Sequence, residues 1–260
     1  MNGPSTILTL PSLTSAQILA KHCIALGCLG VITGTNGVGK TEALKFLTRC
    51  TDLLPAETKS HYHQCVQAEG SSRAVRDVLI DLEVRQAVHQ RGMALGIALK
   101  LALREFNERK IGLLLMDDAD LLSIDSLQGV ISLYDYTRAK NYPLSLILAG
   151  ATGSEKWIGA LPAASSRTLK ICRLQNLTVE LTCALFAGWG APMSDLAGAV
   201  REKNVDAIRV LRFIHKNTNG NTRRLYYFAE LAALDPKPLT AARIKEIMAQ
   251  MTVLNGVEER

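Results

Sequence analysis

The sequence predicts an α/β protein: a parallel sheet wound on both faces by helices, followed by a small all-α region. Three observations carry that reading. Short apolar runs alternate with helix-period segments up to about residue 176, the pattern of strand–helix–strand units. The run 111–116 is apolar throughout and 144–149 nearly so, as suits strands buried on both faces of a parallel sheet. A glycine-rich loop stands between the first apolar run and a helix.

The elements follow in order. Residues 1–13 hold two prolines and several Ser and Thr and read as an extended arm. Ser15 or Thr14 caps a helix over 16–26. An apolar strand over 28–33 leads through the glycines to a helix over 40–49, with Ala43, Leu44 and Leu47 on one face. Residues 61–68 alternate weakly, as a strand does. Ser71 and Ser72 open a helix through Val78, Leu79 and Leu82, and a second amphipathic helix covers 94–108. The strand 111–116 ends in Asp117 and Asp118. A helix over 125–140 leads to the strand 144–149, and a further strand is expected over 168–172. Beyond Asn176 only helical periods remain, at 179–186, 205–216, 223–234 and 240–251. The expected organisation is an arm and helix (1–27), an α/β domain that carries the glycine-rich loop (28–176) and a helical subdomain (177–260).

Composition narrows the class. Of 260 residues, 48% are apolar and 21% charged, which excludes disorder and collagen-like or coiled-coil architecture. No run of about eighteen apolar residues provides a membrane span, and the first residues lack the pattern of a secretory leader. Six cysteines are scattered without a C-x-x-C pair, which reads as reduced thiols in a cytoplasmic protein. The net charge of +6 permits an anionic partner without requiring one.

The most informative segment is GTNGVGKT, from Gly34, Thr35, Asn36, Gly37, Val38 and Gly39 to Lys40 and Thr41. It is a full G-x-x-x-x-G-K-[ST] match between a strand and a helix. Glycines at these spacings let the backbone turn its N–H groups onto phosphates, and the following helix presents its positive end. Lys40 reaches the β- and γ-phosphates, Thr41 offers its hydroxyl to Mg²⁺, and the expected cofactors are ATP and Mg²⁺. Glu42, at the first turn, is counted with the loop. Downstream, Asp117 ends a buried strand and is the second expected magnesium-side group. Asp118 occupies the place of the carboxylate that orients the attacking water. It is one methylene shorter than the usual Glu, so hydrolysis is expected to be slow. His61 and His63 share a strand face but lack a third ligand nearby, and read as ordinary strand residues.

GTNGVGKTEA (34–43), GLLLMDDADL (112–121) and LILAG (146–150) resemble blocks of the MuB/TniB/TnsC group of AAA+ ATPases, which assist DNA transposition. The related ExeA-like secretion ATPases share much of the pattern. The resemblance runs from about residue 30 to 234 and implies an AAA+ P-loop NTPase. It implies a nucleotide site shared between subunits, with an arginine entering the neighbour's site; Arg167 matches best and Arg173 is the alternative. It implies a lid arginine reading the nucleotide in cis; Gly220-Asn221-Thr222-Arg223 fits G-x-x-R, with Arg224 the alternative. A polar sensor is expected near position 151, where Ala151 stands; either Thr152 substitutes or that sensor is absent. The group polymerises on duplex DNA, and the matching region, 69–91, carries Arg73, Arg85 and Arg91 as candidate phosphate contacts. The partners implied are duplex DNA, a transposase, further copies of the chain in a filament or ring, and a targeting factor in some systems. Aromatics are few, at 5%, so stacking on single strands is a poor fit. No N-terminal helix-turn-helix precedes the blocks, so base reading is not expected. The alternative is an ExeA-like secretion or signalling ATPase acting on protein partners; the membrane or wall-binding extensions of those relatives have no counterpart here.

Overall fold

The computed structural model of the protein describes residues 11–67, 69–90, 92–154, 156, 161, 168–235 and 237–258. The chain forms two compact units. The larger contains residues 11–36 and 40–174, and the smaller contains Gly37–Gly39 and the C-terminal helices from Gln175 on.

The larger unit runs α1 (Pro11–Leu26), β1 (Leu29–Gly34), α2 (Lys40–Arg49), β2 (Lys59–Gln64), α3 (Arg73–Asp81), α4 (Arg85–His89), α5 (Leu95–Arg109) and β3 (Ile111–Asp117). A 3₁₀ turn (Ala119–Leu121), α6 (Ile124–Ala139), β4 (Ser145–Ala151) and β5 (Thr168–Arg173) complete it. The five strands form one parallel sheet in the order β2-β3-β4-β1-β5, flanked by helices. All residues of β1 and β3 are buried. β2, at an edge, is buried only at His63. That difference explains why apolar runs marked the central strands while β2 showed only weak alternation.

The main core lies beneath α3, α5 and α6, where Val78, Leu79, Phe106 and Tyr134 pack on Leu114 and Leu146. Helix ends are fixed by local chemistry. The Ser123 hydroxyl accepts the Ser126 N–H at 3.2 Å and caps α6. α5 ends on Lys110, whose left-handed backbone closes the helix (φ 59°). Pro11 opens α1, so residues 11–13 belong to a helix rather than to the expected arm; a proline at the first helical position costs no hydrogen bond.

The smaller unit is helical: α7 (Val179–Ala187), α8 (Met193–Arg201), α9 (Val205–Thr218), α10 (Thr222–Leu234) and α11 (Ala241–Glu258). Thr178, Asn204 and Asn221 cap α7, α9 and α10 through their side chains. Phe186 and Phe228 stack at 6.4 Å inside its core, with Leu211, Ile214 and Leu225. α8 was not foreseen, because Gly190, Pro192 and Gly198 break its helical pattern in the sequence.

One contact fixes where α3 begins. α6 presses on the loop before α3: the Ser126 hydroxyl donates to Gly70 O at 3.1 Å. A Cβ on Gly129 would fall 1.6 Å from Ser71 O. Alanine in a helix is ordinarily favoured over glycine by about 1 kcal/mol. Here the clash should reverse the sign, and Gly129→Ala is expected to destabilise the protein by about 1–3 kcal/mol. A urea midpoint equal to or above that of the wild type would contradict the contact.

Candidate nucleotide-binding site

A parallel sheet brings the carboxyl ends of its strands to one edge, where α/β proteins bind ligands. Here that edge collects Gly34 at the end of β1, Ala151 at the end of β4, Asp117 at the end of β3 and Gln64 at the end of β2. Gly34 is level with Ala151, and Gln64 with Asp117.

At the loop, Thr35 and Asn36 are exposed and Lys40 is buried at 8% exposure. The Lys40 ammonium donates to Gly34 O at 2.9 Å and Thr35 O at 3.2 Å. It therefore stays at the loop mouth, its charge satisfied by carbonyls that a phosphate oxygen can replace. Thr41 follows on the first turn of α2, half-buried. Glu42 is exposed and lies 3.9 Å from Lys45, a pairing that leaves it on the helix surface.

In the smaller unit, the loop tip meets the start of α10. Gly37 has φ +78°, and a Cβ there would lie 2.6 Å from Asn221 Oδ1 and 2.9 Å from Arg223 Cβ. Only glycine fits both demands. The Arg223 N–H donates to Gly37 O at 3.0 Å. The Asn221 carboxamide oxygen accepts the Arg224 N–H at 3.2 Å. The side chains of Arg223 and Arg224 are exposed.

The acidic turn is the most constrained part of the site. Asp117 has no exposed surface. Its Oδ2 accepts the Tyr62 hydroxyl at 3.0 Å and its Oδ1 accepts the Asp118 N–H at 3.0 Å. Asp118 adopts a left-handed backbone (φ 50°, ψ 37°), which Asp tolerates better than most residues. Its Oδ2 accepts the Gln64 amide at 3.2 Å. Burial first, and the Asp117 carboxylate next, hold the Asp118 carboxyl above the usual aspartate value, while the Gln64 bond pulls it down. Asp120 turns back and accepts the Ala151 N–H at 3.0 Å. Behind the turn Cys65 is buried, and burial followed by Asp117 and Asp118 pushes its thiol up to about 12. It remains a neutral, inert thiol.

Tyr62, Gln64 and Asp120 were not anticipated. Tyr62 and Gln64 alternate with His61 and His63 on β2, so period-2 spacing was the signal that could have found them. On the other face His63 bonds Asp81 through Nδ1, and burial lowers the pKa of His61. No cluster able to hold a metal occurs there or elsewhere among the described residues. At position 151 Ala stands at the end of β4, and Thr152 is exposed just beyond. Of the candidate DNA contacts, Arg73 is half-exposed and bonded to Asp77 at 3.0 Å, and Arg85 is exposed at the start of α4. Arg91 and Arg167 lie outside the described residues.

The donor set fits a nucleotide with its metal. A hard-oxygen pair, the Thr41 hydroxyl and the Asp117 carboxylate, is what Mg²⁺ takes. A buried ammonium and a glycine loop at a helix start suit phosphate. The five-strand order and this loop define an AAA+ P-loop NTPase fold. The AAA domain family model matches residues 27–158, and the chain belongs to that family. No curated protein matches it.

Among solved structures, the chain resembles Cdc6p from Pyrobaculum aerophilum (17% identity, TM-score 0.61), covering 90% of this chain and 65% of that one. It resembles the Aeropyrum pernix ORC1 protein, solved in complex with DNA (16%, TM-score 0.63; 94% and 66%). It also resembles domain III of the Thermotoga maritima replication initiation protein DnaA (14%, TM-score 0.61; 94% of both chains). At these identities the likeness is one of fold. The chain spans about two thirds of the first two.

With Asp118 as the group that orients water, activity should need its ionised form. Turnover should therefore fall as pH drops through a value above that of an ordinary aspartate. Asp118→Asn should keep ATP binding and lose about a hundredfold or more in turnover. Gln64→Ala removes the bond that lowers the Asp118 value, so it should move the acid limb of the pH–rate profile upward. A limb unmoved, or displaced downward, would contradict the assignment.

Proposed function

We propose that this chain is an ATP-dependent, sequence-nonspecific duplex-DNA-binding AAA+ regulator of DNA transposition, acting in the cytoplasm. On this reading it oligomerises on target DNA and recruits or activates a transposase, and slow ATP hydrolysis drives disassembly. The observation that carries the reading is the pairing of the GTNGVGKT loop with the Asp117-Asp118 turn at one sheet edge. The block resemblance narrows it. Support for DNA as the partner comes from the fold shared with ORC1, a protein solved on DNA. Among the described residues no helix is long and apolar enough to cross a membrane.

In this mechanism Lys40 exchanges its two carbonyls for β- and γ-phosphate oxygens. Thr41 and Asp117 would hold Mg²⁺, which would neutralise charge on the phosphates. Asp118, steadied by Gln64, orients the attacking water. Arg167, or Arg173 in its place, enters the neighbouring subunit's site, and Arg223 or Arg224 reads the nucleotide in cis; guanidinium groups suit phosphate oxygens. Head-to-tail contacts that do not close give a filament, those that close give a ring. Arg85 and the exposed part of Arg73, with Arg91, neutralise DNA phosphates without reading bases.

Electron microscopy of the protein with duplex DNA tests the proposal. ATP or a non-hydrolysable analogue should give filaments or stacked rings that are absent without nucleotide. Raising salt from 50 to 200 mM should weaken DNA binding steeply, by about tenfold or more. Lys40→Ala should abolish nucleotide binding and assembly together. Arg167→Ala should spare nucleotide binding by the monomer and lower assembly. Failure to assemble on DNA with nucleotide at low salt would sink the transposition reading and favour the ATPase acting on protein partners.

A further inference from the structure

Asp117 is the most deeply buried charged group of the candidate site, and its two oxygens are engaged differently. One takes the amide of the next residue, which any sequence supplies. The other takes the hydroxyl of Tyr62, a side chain from the edge strand β2. Tyr62 is level with Leu115, two residues ahead of the Gln64 that is level with Asp117. A carboxylate offers about four lone-pair positions, so one bond on each oxygen leaves room for further ligands. The chemistry of the donor matters. A Lys or Arg in this place would cancel the charge that attracts a cation. A phenol orients the carboxylate and leaves its charge intact, and the Tyr62 hydroxyl donates to Asp117 Oδ2 at 3.0 Å.

We propose that Tyr62 is the positioning residue for the magnesium-side carboxylate: its hydroxyl fixes Asp117 in the orientation that receives Mg²⁺ with the nucleotide. This rests on the nucleotide reading of the loop at Gly34–Thr41. Tyr62 touches neither phosphate nor attacking water in this assignment; it acts through Asp117 alone. It therefore governs how much the metal adds to nucleotide affinity, and not the affinity for the nucleotide itself.

Calorimetry with the β,γ-methylene analogue of ATP, run once with Mg²⁺ and once with EDTA, separates these contributions. The wild type should bind more tightly with Mg²⁺. Tyr62→Phe, which keeps the ring and removes the hydroxyl, should match the wild type in EDTA. It should lose roughly tenfold in affinity with Mg²⁺, the worth of one hydrogen bond to a charged group. Tyr62→Phe with the full magnesium gain, or with a larger one, overturns the inference. So does equal loss in both arms, which would place the hydroxyl's role in the fold, and so does a wild type whose binding ignores Mg²⁺. A wild type that binds in neither arm overturns the nucleotide reading itself, and this inference with it.

Discussion

A carboxylate withdrawn from water costs several kcal/mol unless donors meet it, and the candidate site is arranged around one such group. Asp117 ends β3, a strand flanked by β2 and β4 and buried along its whole length. The sheet that buries it must also supply its partners. β2 contributes the Tyr62 hydroxyl. The chain contributes the Asp118 amide by turning into the left-handed region at once. That same turn aims Asp118 at Gln64 and lets Asp120 reach back to the end of β4. These five residues thus tie three strands together at the edge where β1 opens into the phosphate loop.

The parts legible in the sequence were those written in neighbouring residues. A central parallel strand is apolar on both faces, so β1, β3 and β4 stood out as runs. The loop and the acidic pair were visible because their chemistry needs fixed local spacing. The donors that complete Asp117 and Asp118 were not visible, since Tyr62 and Gln64 stand 55 and 54 residues away from them. Their meeting depends on β2 lying beside β3, which no local pattern records. His61 and His63, which read as ordinary strand residues, lie on the other face of the strand, where His63 bonds Asp81. α1 and α8 show a second kind of opacity. Pro11, Pro192 and Gly198 are poor helix formers in isolation, yet they sit where a helix begins or where packing outweighs propensity.

The loop itself carries two separate constraints. Lys40 is buried and rests on the carbonyls of Gly34 and Thr35. Carbonyls are adequate acceptors for an ammonium, and phosphate oxygens are better ones, so the side chain is held ready without being locked. Gly37 meets a different demand, since the Asn221 carboxamide and the Arg223 Cβ at the start of α10 occupy the space a side chain would need. The G-x-x-x-x-G-K-[ST] spacing is usually explained by phosphate alone. In this chain one of the intervening glycines is fixed by helix packing as well.

Asp118 then bears on how fast the proposed site would turn over a nucleotide. Its carboxylate is shorter than glutamate by a methylene, bonded to Gln64, and raised toward the neutral acid by burial and by Asp117. The shorter reach acts against rapid activation of water, while the Gln64 bond steadies the carboxylate and favours its ionised form; neither bears on the proposed hold of Lys40, Thr41 and Asp117 on a triphosphate. On the proposed reading, a site so built would separate binding from turnover. For a protein proposed to assemble on DNA through a shared nucleotide, that separation is functional. On that proposal the slow step would set the lifetime of the assembly, and a partner that repositions Asp118 or its Gln64 contact would control when the assembly comes apart.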